Sequence, residues 1–129
     1  MFEQISNLFF PLFAYFHAAG SRVKIQTDTP YRLVLEVNFR QIVLDKRSQL
    51  VSSSGKLLAR FDDIQAIELI HQINGTGQRK GEWWVVHLRL AGQNIRIGQT
   101  IDDVQASIVA AHMSKITGKP VRSLPTREA

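Results

Sequence analysis

Residues 74–84 read NGTGQRKGEWW, three glycines and an Arg-Lys pair directly before two tryptophans. A dinucleotide-binding turn needs its glycines as G-x-G-x-x-G with a helix straight after, because the amides and the positive dipole end of that helix meet the phosphates. Here Gly75 and Gly77 are followed by Gly81, one position too late. The next residues, EWWVVHLRL, place Trp84, Val86, Leu88 and Leu90 on one side and Trp83, Val85, His87 and Arg89 on the other. That period of two belongs to a strand. No Gly-Lys-Ser or Gly-Lys-Thr occurs, so the other common phosphate loop is excluded as well. Strand, glycine-rich loop, strand describes a long hairpin.

Working upstream, Ile64 to Ile73 supplies the first arm of that hairpin, after a turn at Asp62-Asp63. KLLARF precedes it, entered through the turn SSSG at 52–55, and Gln41 to Lys46 reads as another strand. In YRLVLEVNFR the residues Leu33, Leu35, Val37 and Phe39 share one face, as in a half-buried strand. RVKIQT alternates too and ends at a turn over Asp28–Pro30.

Downstream, a second hairpin turns at 91–94 into NIRIG, and then the period changes. Thr100 is the expected helix cap, with Asp102 and Asp103 in a first turn where the dipole favours negative charge. Ile101, Val104, Ile108 and Ala111 form the expected buried face, widened by Val109, Met113 and Ile116. Gly118 and Pro120 stop the helix.

The beginning is different in texture. Five of the seven phenylalanines (Phe2, Phe9, Phe10, Phe13 and Phe16) fall in the first 21 residues, and no charged side chain lies between Gln4 and Ser21. Phe2, Ile5, Phe9, Leu12 and Phe16 recur at helical spacing, which predicts an apolar helix kinked at Pro11. Polar residues and Pro11 dilute the stretch below what a spanning helix needs, and no Lys or Arg precedes it as in a secretory signal. Interfacial membrane helices carry Lys or Arg on their polar face. Their absence here favours packing on the chain's own core or on another subunit over membrane contact.

Composition sets outer bounds. A length of 129 residues suits one domain, and 44% hydrophobic with 21% charged residues is a globular balance. No cysteine is present, which removes disulfides, thiol nucleophiles and cysteine-bearing zinc sites and suits a reducing compartment. The net charge is +5, but the basic residues stand singly or in pairs. The expected organisation is an apolar helical segment over 1–21, one domain over 22–121 and a flexible tail over 122–129. The expected fold class is α+β and mainly β, with about seven antiparallel strands in a barrel or two orthogonal sheets, capped by a C-terminal helix.

FDDIQAIEL (61–69), WWVVHLRL (83–90), NIRIG (94–98) and the helix from Thr100 to Val121 follow one another as in bacterial modules that the chain resembles, the pleckstrin-homology-like (PH-like) domains. The resemblance covers roughly residues 22–121 and implies a non-enzymatic module that binds proteins, peptides or lipid headgroups. It carries over no binding residue, because the basic phosphate motif of lipid-binding relatives has no clean counterpart here.

The expected function is therefore non-catalytic binding or self-assembly, through a protein partner or a second copy, with membrane contact through residues 1–20 as a further option. The expected location is the cytoplasm, membrane-associated in that last case. No cofactor or metal is expected, since the four histidines lack ligand spacing and the Asp pairs suit turn and cap roles. His71 and His87 would face each other if the long hairpin were centred near Arg79. Candidate partner-binding residues are Arg79, Lys80, Trp83, Arg89 and Arg96, an aromatic beside cations on one sheet face. Phe2, Ile5, Phe9, Leu12 and Phe16 form the candidate docking or oligomer segment. Nucleic-acid binding through the same basic face is the disfavoured alternative, and an enzyme with an unrecognised site is the other.

Overall fold

The structure, a computed structural model, describes residues 23–74 and 81–128. The predicted apolar helix with Phe2, Ile5, Phe9, Leu12 and Phe16 lies outside the described residues. The first five strands are β1 (Lys24–Asp28), β2 (Arg32–Val37), β3 (Arg40–Asp45), β4 (Leu50–Ser53) and β5 (Lys56–Arg60). They form one antiparallel meander in sequence order. A single 3-10 turn, Phe61–Asp63, then takes the chain into a second layer made of β6 (Ile64–Asn74), β7 (Gly81–Leu90), β8 (Gln93–Thr100), helix α1 (Asp103–Thr117) and β9 (Val121–Glu128). The second sheet has the order β8-β7-β6-β9, and the two sheets do not close into a barrel.

The long hairpin is present: β6 and β7 pair antiparallel from Ile64↔Leu90 to Asn74↔Gly81. That register sets His71 opposite Trp84 and His87 opposite Glu68, so the two histidines do not face each other. Its centre falls ahead of Arg79, and every partner shifts with it.

Three expectations need correction. Phe39 is not on the inward face of β2. It sits fully exposed in the two-residue turn Asn38-Phe39, both at positive φ (50° and 65°), the backbone twist that joins two right-twisted strands tightly. The helix cap is Asp102, whose carboxylate accepts from the amides of Val104 (3.0 Å) and Gln105 (3.4 Å), while Thr100 Oγ1 accepts from Asp102 N. The face that packs on the sheets is Ala106, Val109, Ala110, Met113 and Ile116, and Ile101, Val104, Ile108 and Ala111 of the expected face are exposed. Two alanines one turn apart let the helix backbone approach the strands closely. Finally, the segment read as a flexible tail is β9, paired in parallel with β6 from Ile67↔Val121 to Ile73↔Glu128. The direction follows from connectivity: β8 runs with β6, α1 runs back, and the next strand runs with β6 again. Pro125 is tolerated because β9 is an edge strand, irregular opposite Ile70 and Gln72.

One continuous core joins both sheets to the helix. Leu33, Leu35, Ile42 and Leu44 meet Ile67, Val86, Leu88 and Ile97 across Phe61, with Ala106, Val109 and Met113 closing the open side. Polar ties reinforce the seam: Gln105 Nε2 donates to Val23 O at 3.0 Å, and His112 Nδ1 lies 2.8 Å from Asp28 Oδ2, outside hydrogen-bond geometry. No helix among the described residues is long and apolar enough to cross a membrane.

Gly98 on β8 marks the tightest approach. A Cβ there would fall 2.5 Å from Val23 Cγ2 and 3.1 Å from Val37 Cγ1, and neither β-branched side chain can swing aside freely. Gly98→Ala is expected to cost about 1–3 kcal/mol of unfolding free energy. Urea denaturation measures this; an unchanged midpoint would show that Val23 has room to move.

Candidate binding surface

Strand alternation gives the second sheet two faces. One meets the core; the other carries Glu68, Ile70 and Gln72 on β6, Trp83, Val85, His87 and Arg89 on β7, and Arg96 and Gln99 on β8. Register adds Arg122, Leu124 and Arg127 from β9 to this outer face. Three of the five predicted partner-binding residues, Trp83, Arg89 and Arg96, therefore do share one face. Arg79 and Lys80 lie outside the described residues.

A polar row crosses all four strands as Arg122, Glu68, His87 and Arg96. Glu68 is buried, and its Oε1 has no hydrogen-bond partner; the Nδ1 of the neighbouring His87 is likewise buried and unpaired. Burial pushes the His87 pKa below its ordinary value, helped by the positive charges of Arg96 and Arg127 and opposed by Glu68. Partial burial against the sheet also lowers the pKa of Arg96, although by surface area the residue is exposed. Arg89 is held by Asn94, its Nη1 donating to Asn94 Oδ1 at 3.1 Å. Trp83 is half-buried, its ring folded back against Gly81, where a Cβ would collide with it at 2.5 Å.

Apolar residues lie between the charged ones. Ile70 and Val85 are each 2% exposed and Ala66 is fully buried, yet none of the three belongs to the core between the sheets. The outer face is thus an apolar strip, closed to water, inside a rim of four arginines.

Two other polar features lie away from this face. On the core side of the sheet, His71 stacks on Trp84 with ring centroids 4.6 Å apart, its Nε2 2.7 Å from Glu82 Oε1 and its Nδ1 3.0 Å from Thr126 Oγ1. This chain of contacts ties β6, β7 and β9 together at the end of the core; Glu82 is largely in water. A depression of about 740 Å³ on the outer face of the first sheet is lined by Arg32, Phe39, Arg40, Asp45, Ser52 and Leu57 among others. It holds none of the buried unpaired polar atoms found among the described residues.

Sequence reasoning missed Glu68, His87, Gln99 and the β9 arginines. Alternation along β6 does put Glu68 on the polar side. What it lacks is any signal that this side is buried.

The depressed His87 pKa has a direct consequence. An imidazole that protonates less readily folded than unfolded lets the unfolded chain bind more protons below about pH 6.5, so stability is retained above that pH and lost as pH falls through it toward the folded value. His87→Gln removes that contribution. Unfolding free energies measured across this interval should fall less steeply for the variant than for the parent; parallel profiles would refute the assignment.

Comparison of the chain with protein-family models, curated proteins and solved structures gives no match, and the functional reading rests on the chemistry of this face.

Proposed function

We propose that the chain is a non-catalytic binding or self-assembly module whose contact surface is the outer face of the second sheet. The observation that carries this reading is the combination found there: a buried apolar strip with unpaired Glu68 and His87 atoms, ringed by Arg89, Arg96, Arg122 and Arg127 and flanked by Trp83. Protein interfaces combine a desolvated centre with a polar rim and favour Trp and Arg as anchors. The PH-like assignment is part of this proposal and rests on the sequence pattern.

Nucleic acid is the second reading, favoured by the four arginines on one face. Against it, a phosphate backbone laid across that face would meet the Glu68 carboxyl at its centre, and Arg89 is already engaged by Asn94. A protein partner, in the simplest case a second copy, brings donors for Glu68 and acidic groups for the rim. Membrane contact through residues 1–20 remains a separate proposal.

Sedimentation velocity over a wide concentration range tests self-association. The wild-type chain should form a reversible oligomer, and Arg96→Glu should weaken it by roughly tenfold or more, the scale of reversing a charge at a contact rim. A chain that stays monomeric, and instead binds duplex DNA with an affinity falling steeply with salt, would favour the nucleic-acid reading.

A further inference from the structure

We infer that the phenylalanine-rich segment, residues 1–22, docks across the outer face of the second sheet of its own chain and covers the apolar strip. The inference rests on the proposed contact surface and divides it: the strip is filled from within the chain, and the arginine rim is left for the partner.

The first argument is burial. Ala66, Ile70 and Val85 are 0–2% exposed, Gln99 5% and Glu68 6%, on a face that lies opposite the core. The described core, formed with the first sheet and α1, meets the other face. Neighbouring side chains on an open sheet shade an Ile or Val only partly, so residues this dry need a layer above them. The second argument is where the chain goes. Val23 is buried against Gly98 of β8, with its carbonyl held by Gln105. The segment is thus tethered at Val23 beside β8, an edge strand of this sheet. Four strands at about 4.8 Å spacing span under about 20 Å, while 22 residues reach about 33 Å even when helical.

The third argument is chemistry. The segment offers Phe2, Phe9, Phe10, Phe13 and Phe16 to an apolar strip, and it has no charge from Gln4 to Ser21 that would be desolvated there. Its Gln4, Ser6 and Asn7 carry amide and hydroxyl donors of the kind that Glu68 Oε1 lacks. Self-contained cover also explains why Arg96, Arg122 and Arg127 can stay exposed at the rim while the centre is dry.

The chain has no cysteine, so single thiols report local access cleanly. Val85→Cys probes the strip, Val86→Cys the core face one residue away, and Ser107→Cys an exposed position on α1. In the full-length chain the thiol at 85 should react with a maleimide dye at least roughly tenfold more slowly than the thiol at 107, as expected for a site reached only by local opening. Combining Val85→Cys with Phe9→Ser, Phe13→Ser and Phe16→Ser should restore most of that rate, while the thiol at 86 stays protected in the same background. Four outcomes overturn the proposal. The thiol at 85 reacts as fast as that at 107, or it stays slow after the phenylalanine changes, or the thiols at 85 and 86 become reactive together, which makes the segment part of one indivisible core. Protection that fades on dilution overturns docking within one chain and points to cover by a second copy. Failure of self-association in the centrifuge leaves these labelling results unaffected, so the two readings fail separately.

Discussion

Among the described residues no strand ladder joins the two sheets: β5 and β6 are consecutive in sequence yet belong to different layers, and side-chain packing with a few side-chain hydrogen bonds holds those layers together. Phe61, at the single turn between them, and the buried stripe of α1 carry that burden. A chain organised in this way depends on the helix as a structural wedge rather than as a lid. Its small residues, Ala106 and Ala110, matter as much as its large ones, because they set how close the backbone comes. Gly98 and Val23 make the same demand at the helix's first turn, where Gln105 fixes the start of the described chain.

The second sheet follows from that constraint. With one face committed to the core, its other face would ordinarily be open to solvent, with polar residues alternating against apolar ones. Instead Ile70 and Val85 occur there beside Glu68 and His87, all four withdrawn from water to different degrees. A carboxyl and an imidazole in that setting are costly unless something supplies hydrogen bonds. Burial, with the positive charges of Arg96 and Arg127 beside it, drives the His87 imidazole toward its neutral form against the opposing charge of Glu68. The face therefore has the character of an interface.

Much of the architecture could be read from the chain. The hairpin through residues 74–84, the inward faces of β2 and β7, and the existence and C-terminal end of α1 were all legible, because side-chain period and turn chemistry are local. The misreadings share a cause as well. Phe39 fitted the alternation of its strand, but the tight turn at Asn38-Phe39 intervened. Thr100 and Asp102 are both good caps, and only the packing of the helix chose between them. The β9 sequence VRSLPTRE looks like a tail because its Pro, Ser, Thr and Arg content carries no strand signal; its pairing partner lies some fifty residues earlier.

The candidate site divides in the same way. The sequence by itself determined that Trp83 and Arg89 would share a face of β7 opposite Trp84, because a two-residue period admits no other arrangement, whereas Arg96 joins them through the β7–β8 register. Tertiary structure alone decided that Arg122 and Arg127 join them, that Glu68 and His87 sit side by side, and that the strip between them is dry. Those facts depend on register across four strands and on what lies above the sheet. Neither is a property of any short stretch: burial is a sum over neighbours brought together from distant parts of the chain.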